Sequence, residues 1–251
     1  MTKAEIQLVR ALVDKRGRTE HGLFVAEGEK LIGELRTSHL RVRKIFALEG
    51  VFKGPEVEIV APREMERLSL LKTANNSLAL VETPHYDLRP TQLKGRLTLA
   101  LDDVQNPGNL GTIIRLADWF GITDIVCSET SADCFNPKVV QATMGAVVRV
   151  RVHYTDLAKL LTEAAAQGLP VYGTFLEGKN IYDAQLAPAG IVVMGNEGRG
   201  ITDAAAQAVT QKLFIPPWPA DRRGSESLNV AMATGIICAE FRRQASAKAA
   251  K

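Results

Sequence analysis

Apolar residues fall at helical spacing over residues 4–13, where Ile6, Val9, Leu12 and Val13 share a face, and over 27–35 through Leu31, Ile32 and Leu35. Short apolar runs at 23–26, 42–48, 57–60 and 78–81 read as strands, and Pro62 opens a predicted helix over 63–71. Together these elements predict a small mixed α/β unit over residues 1–82. Residues 83–95, TPHYDLRPTQLKG, hold two prolines and little apolar content, and read as a linker. From residue 96 to 251 the pattern alternates: strands at 97–101, 124–127, 148–152, 170–175 and 191–194, with helices at 109–120, 137–144 and 156–167. That alternation predicts a parallel sheet with helices on both faces. A strand at 212–215 then runs into Pro216, Pro217 and Pro219, which neither strand nor helix continues through. A buried or interface helix follows from Ser227 or Leu228 to the basic pair Arg242 and Arg243, with Ser227 as an N-cap candidate. The tail ASAKAAK is expected to be disordered.

Composition narrows the class. Of 251 residues, 46% are apolar and 24% charged, as in a soluble globular protein. No apolar run reaches the roughly 18–20 residues that cross a membrane, and the charged, helix-patterned start is unlike a signal sequence. Three cysteines without C-x-x-C spacing fit a reducing compartment and a cytoplasmic location, and with four scattered histidines they form no metal-ligand pattern. The net charge of +3 permits an anionic partner without demanding one. Basic residues cluster at Lys15-Arg16-Arg18, Arg41-Arg43-Lys44, Arg222-Arg223 and Arg242-Arg243. Such clusters read either as nucleic-acid contacts or as solvated faces.

Three stretches carry candidate chemistry. NPGNLGTIIR, 106–115, follows a strand directly: Pro107 and Gly108 turn, Asn109 is placed to cap the next helix, and Arg115 lies on its polar side with Thr112 and Asp118. The bland reading of Arg115 is a surface pair with Asp118. MGNEGRGI, 194–201, follows another strand; its G-x-x-G-x-G lets backbone wrap a ligand and is not the dinucleotide fingerprint. The third is Ser227-Leu228-Asn229 after the proline-rich strand end. GTFLEGK, 173–179, has P-loop spacing, but Asn180 replaces the magnesium-holding Ser/Thr and the reading is set aside.

Taken together, NPGNLGTIIR, MGNEGRGI and IP…SESLNVA resemble the three motifs of the SpoU, TrmH-like branch of the SPOUT RNA 2′-O-ribose methyltransferases. CFNPKVVQATMGAVVRV, 134–150, is similar to the segment that family carries between its first two motifs, and GLFVAEGEKLIGEL resembles the RNA substrate-binding domain of its ribosomal RNA members. The resemblance implies a parallel α/β domain with a deep trefoil knot, a homodimer, and S-adenosyl-L-methionine as cofactor. It places Gly195, Ile215 and Leu228, with Thr174, at the cofactor, and Arg115, Asn109, Glu197, Ser227 and Asn229 at the reaction.

The implied reaction methylates a ribose 2′-hydroxyl, in ribosomal RNA ahead of transfer RNA, with no role for DNA, metal or membrane. Arg115 is the implied principal catalytic residue, either as proton acceptor or as a donor that acidifies the hydroxyl and clamps a phosphate. Glu197 would orient Arg115 or a neighbouring dipole, and Ser227, Asn229 and Asn109 would fix ribose and loops. The loop IPPWPADRRGSESLN is longer than the family pattern; Trp218 stacks on RNA or makes a loop-tip or dimer contact. Other readings are a transfer RNA 2′-O-methyltransferase, a non-catalytic RNA-binding protein that kept the fold, and a dinucleotide or flavin enzyme, which lacks its glycine fingerprint.

Overall fold

The computed structural model describes residues 1–219 and 227–249, and the chain divides between two units. The first takes residues 1–85 together with 133–149. Its helices are α1 (Lys3–Ala11), α2 (Lys15–His21), α3 (Glu29–Arg36) and α4 (Pro62–Leu68); its strands are β1 (Leu23–Glu27), β2 (Val42–Ala47), β3 (Val57–Ile59) and β4 (Ser77–Glu82). The sheet order is β1-β4-β2-β3, with β4 antiparallel to both neighbours and β3 parallel to β2. Period-two alternation sends Val25, Phe46, Leu78 and Leu80 to one face, against Val9, Leu12, Met65 and Leu68. Phe24, Ala26, Ile45, Ala47, Ala79 and Val81 point the other way, onto Leu31, Ile32 and Leu35 of α3.

That second face is finished by residues 133–149, which the sequence pattern placed with the C-terminal unit. Val140, Val147 and Val148 are buried in it, the Phe135 ring lies 4.7 Å from Phe24, and buried Arg18 bonds Asp133 at 2.5 Å. Val148, expected to begin a strand over 148–152, instead ends a 3-10 turn over 146–148 that follows Gly145.

The second unit takes residues 86–132 and 150–249 of the described chain. Its strands are β5 (Leu97–Leu101), β6 (Asp124–Ser128), β7 (Arg151–Thr155), β8 (Val171–Asn180), β9 (Gly190–Met194) and β10 (Gln211–Phe214). Its helices are α5 (Pro107–Trp119), α7 (Leu157–Ala166), α8 (Asp203–Ala206) and α9 (Val230–Ala249); α6 (Pro137–Ala142) belongs to the first unit. All six strands are parallel, in the order β10-β8-β9-β5-β6-β7. The chain runs outward from β5 through β7, then resumes on the other side, so the order reverses between β5 and β9. In open parallel sheets the carboxyl edge at such a point is where ligands bind. One face packs Ala100, Val126, Val171, Ile191 and Val193 against α7 and α8. On the other, α5 and α9 lie together, and Phe241 of α9 meets Tyr172 edge-on at 5.0 Å.

The second half of the expected linker is not bare chain: Pro90–Leu93 is a 3-10 turn and Leu93 joins the α7 core. The tail is also not disordered as far as it is described, because α9 continues to Ala249. Gln244 and Lys248 donate to the carbonyls of Ala184 and Leu186 and hold the last turns down. In β8 the pairing with β10 jumps from Gly173 to Lys179, looping out residues 174–178. GTFLEGK therefore lies in a strand and its excursion, with no helix after it to cradle a phosphate. Among the described residues no helix is long and apolar enough to cross a membrane.

Asp124, at the amino end of β6, is buried under Arg151, whose Nε and Nη2 donate at 2.8 and 2.7 Å, and contacts His153 Nε2 at 3.0 Å. Burial pushes its carboxyl up, but the hydrogen bonds from His153 and Arg151 outweigh that and hold it well below the usual carboxylate range. A depressed folded-state pKa contributes stability that is complete above the unfolded value, about 3.9, and is lost as pH falls towards the folded one. Asp124→Asn should therefore lose less stability than the parent between about pH 5 and pH 2 in urea titrations; identical acid slopes would contradict this.

The first unit yields a second expectation. A fragment of residues 1–85 leaves Phe24 and the α3 side of its sheet uncovered, so it should bind a hydrophobic dye and unfold without cooperativity. Adding a 133–149 peptide should restore a cooperative transition. A fragment that already unfolds cooperatively, unaffected by the peptide, would show that the segment is dispensable.

Candidate active site

The loops after β5 and β9 and the head of α9 meet at the carboxyl edge of the parallel sheet. After β5 the chain passes Asp102 and Asp103 and enters α5. The cap of α5 is Asn106, whose Oδ1 accepts from the amides of Gly108 and Asn109 at 2.8 and 3.1 Å. This corrects the expectation that Asn109 caps the helix. Asn109 stands one turn inside, and its side chain is free to reach outward.

It reaches two ways. Asn109 Nδ2 donates to Glu197 Oε1 in the loop after β9, and Asn109 Oδ1 accepts from Asn229 Nδ2 at 3.0 Å. Asn229, not Ser227, is the cap of α9: its Oδ1 accepts from the amides of Ala231 and Met232 at 3.0 and 3.3 Å. The cap fixes which end of the Asn229 amide faces Asn109, and that fixes which end of Asn109 faces Glu197. One polarised line of hydrogen bonds thus joins all three sequence stretches.

The loop after β9 is shaped by close backbone approach. Asn196 and Gly200 exchange backbone hydrogen bonds at 3.0 and 2.9 Å, and a Cβ at Gly195 would lie 2.3 Å from the carbonyl carbon of Gly200. Only glycine fits at 195. Asn196 Oδ1 accepts from the amides of Gly198 and Arg199, and its Nδ2 donates to the Asp103 carbonyl. At the far end, buried Asp102 accepts from the amide and hydroxyl of Thr202 at 2.7 and 2.8 Å.

Arg115 is exposed, on the same outward stripe of α5 as Gly108, Thr112 and Trp119. It has no hydrogen bond or ion pair among the described residues, so neither Glu197 nor Asp118 neutralises it. Ser227 is exposed and likewise unbonded among the described residues. Thr174 Oγ1 donates to the Val193 carbonyl at 3.0 Å, where β8 leaves its pairing with β10. Ile215, just past β10, is half-buried, while Leu228 is 52% exposed at the head of α9.

The basic clusters resolve mostly into internal contacts. Arg18 is buried on Asp133, Arg41 and Arg43 both lie on Glu82, and Lys44 sits between Glu5 and Glu58. Arg242 donates to the carbonyls of Phe120 and Gly121 at the end of α5, and Arg243 pairs with Glu240. Arg222 and Arg223 lie outside the described residues; Trp218 is 88% exposed. Sequence reasoning passed over Asp102, Asp103, Asn196, Arg199 and Thr202. Two adjacent acids ending a buried strand, just before a Pro-Gly turn, were the available signal.

Residues 96–239 match the model of the SpoU rRNA Methylase family, and residues 3–86 match the MRM3-like substrate binding domain. The chain is 29% identical over 240 residues, 93% of this chain and 94% of the relative, to the 23S rRNA (guanosine(2553)-2′-O)-methyltransferase RlmP of Bacillus subtilis. It superposes with a TM-score of 0.89 on a TrmH-family putative RNA methyltransferase from Porphyromonas gingivalis, at 37% identity over 97% of this chain and 99% of that one. It superposes at 0.82 on the AdoMet-bound rRNA methyltransferase of Sinorhizobium meliloti, at 28% identity over 97% and 95% of the two chains.

The tightness at Gly195 is directly checkable. Gly195→Ala must push the Gly200 backbone away, at a cost of about 1–3 kcal/mol of stability, with faster hydrogen exchange at the Gly200 amide. A variant as stable as the parent, with that amide still protected, would mean the loop has slack.

Proposed function

Because the chain belongs to the SpoU rRNA Methylase family, we propose that it transfers a methyl group from S-adenosylmethionine to a ribose 2′-hydroxyl of ribosomal RNA. The observation that carries the reading is the line Asn229–Asn109–Glu197, which ties the three motif stretches together while leaving Arg115 unpaired among the described residues. RlmP, matched along nearly its whole length, is named for this reaction on 23S rRNA.

The residues present fit the cofactor. Gly195 presents backbone alone, since a side chain there is excluded, and Leu228 offers exposed apolar surface next to the Asn229 cap. With Ile215 and Thr174 they are the residues that would hold the adenosyl group. S-adenosylmethionine supplies a methyl already electrophilic at sulfonium, so the protein's work is placement and charge. Asn109 and Asn229 hold the loops in one register and offer amide edges to the ribose. Arg115 acts as a guanidinium donor that stabilises the developing 2′-oxyanion and grips the adjacent phosphate. Ser227, unbonded among the described residues, would offer its hydroxyl to the substrate. Glu197 acts through Asn109, not by pairing with Arg115.

The finer features belong to the same proposal. A trefoil knot is supported by the path of the chain: β10 forms the outer strand, yet α9 returns to pack on α5, the helix that follows the central β5. Homodimer formation is supported by Trp119 and Met232, 83% and 63% exposed on those two helices. The first unit serves as the RNA-binding domain, in line with its match to a substrate-binding model, and the protein works in the cytoplasm on RNA and not DNA.

Transfer of labelled methyl from S-adenosylmethionine to RNA of a strain lacking this protein, recovered as alkali-resistant dinucleotide, tests the reading. Arg115→Ala should lower kcat about 100-fold or more while cofactor affinity by calorimetry changes little. Near-parental turnover would remove Arg115 from its role; cofactor binding without transfer to any RNA would favour a non-catalytic RNA-binding protein.

A further inference from the structure

The loop that presents Glu197 has a problem of charge. Glu197 stands two residues before Arg199, on a turn containing Gly195, Gly198 and Gly200, which have the backbone freedom to bring the two side chains together. A Glu197–Arg199 pair would take the carboxylate from Asn109 and break the line through the three motifs. In the structure Arg199 is turned elsewhere: its Nη2 lies on Asp103 Oδ2.

Asp103 is built into its place. It is 6% exposed and adopts a left-handed conformation with φ of 59°, which aspartate tolerates better than most residues. Its amide donates to Ser128 Oγ at 2.8 Å and its carbonyl accepts from Asn196 Nδ2 at 2.9 Å. Oδ1 accepts from Gln105 Nε2 at 2.8 Å, and Oδ2 accepts from Asn196 Nδ2 at 3.2 Å as well as from Arg199. Asp103 therefore grips the glycine loop on both sides of Glu197. The Arg199 side chain it holds is 73% exposed.

We infer that Asp103 is a positioning residue for methyl transfer: it sequesters Arg199, so that the Glu197 carboxylate stays on Asn109. The inference rests on the methyl-transfer reading above. Asp103 touches neither ribose nor cofactor in this account; it acts through Arg199 and Glu197. It also makes a distinctive genetic prediction. Removing the charge of Asp103 is harmful chiefly because it releases Arg199, so removing Arg199 as well should repair part of the damage.

The test uses the full chain, RNA from the deletion strain and labelled S-adenosylmethionine. Asp103→Asn preserves size and tolerates the same backbone conformation. It should lower kcat about 10- to 100-fold, with KM for S-adenosylmethionine within about threefold, because Gly195 and Leu228 are untouched. Arg199→Ala alone should cost only a few-fold, since Asp103 still holds Asn196. Asp103→Asn combined with Arg199→Ala should turn over faster than Asp103→Asn alone. A double variant as slow as the single or slower, or an Asp103→Asn variant with parental kcat, overturns the inference; a purely structural role predicts the former. Hydrogen exchange at the Gly198 and Arg199 amides, which should quicken in Asp103→Asn, judges the clamp independently of catalysis. If the parent transfers no methyl, the functional reading fails while the exchange result still stands for or against the clamp.

Discussion

The order of the candidate active site depends on the orientation of one amide, that of Asn229. Its Oδ1 is committed to the first amides of α9, which have no partner within the helix. Nδ2 is then the only end left for Asn109, and Asn109 must turn its own Nδ2 to Glu197. A helix cap worth about 1 kcal/mol locally thereby sets the direction of an entire line of hydrogen bonds. The line ends on a carboxylate close to the first turn of α5, where a helix favours negative charge. Amides suit the two inner positions because each must donate on one side and accept on the other. A carboxylate at 109 could not donate to Glu197 and would stand as a like charge beside it.

The sheet makes this line possible. β5 and β9 are neighbours in space though separated in sequence by three α-helices and three strands, and their pairing runs to Leu101 and Met194. The loops that follow therefore start side by side. Asp102 extends the pairing by donating its amide to the Met194 carbonyl at 2.8 Å, while its carboxylate holds Thr202 at the far end of the glycine loop. Arranged this way, buried acids do the anchoring and the exposed positions stay available for substrate.

What could be read from sequence follows from how local each signal was. Continuous apolar runs such as Leu97–Leu101 and Gly190–Met194 are fully buried parallel strands, and their alternation with helices was legible. The three motif stretches were legible as sites through their glycines, prolines and polar caps. The choice between candidate caps was not. Asn106 and Asn109 lie three residues apart, Ser227 and Asn229 two apart, and all four are good capping residues; only the contacts of the folded chain decide among them. Val148, preceded by Val147, looked like the start of a strand because a short apolar run does not distinguish strand from turn. Both valines instead fill the sheet face of the first unit, and β7 begins at Arg151. The tail read as disordered because its anchors, Ala184 and Leu186, are some 60 residues away in sequence.

The same locality left the basic clusters open between two readings. Basic residues adjacent in sequence read either as nucleic-acid contacts or as solvated faces; in the fold Arg18, Arg43, Lys44 and Arg243 each meet a carboxylate. Arg115 had an equally plausible partner three residues along its own helix and took none among the described residues. That contrast bears on function more than proximity does. A guanidinium already paired must break that pair before it can serve a substrate, which offsets much of what it gains from a phosphate. Here Glu197, the motif carboxylate that could have neutralised Arg115, is occupied by a neutral amide. Using Asn109 in that role keeps the loops joined and leaves Arg115 without an ion pair among the described residues, which is the condition the proposed reaction sets for meeting an anionic substrate and a developing oxyanion.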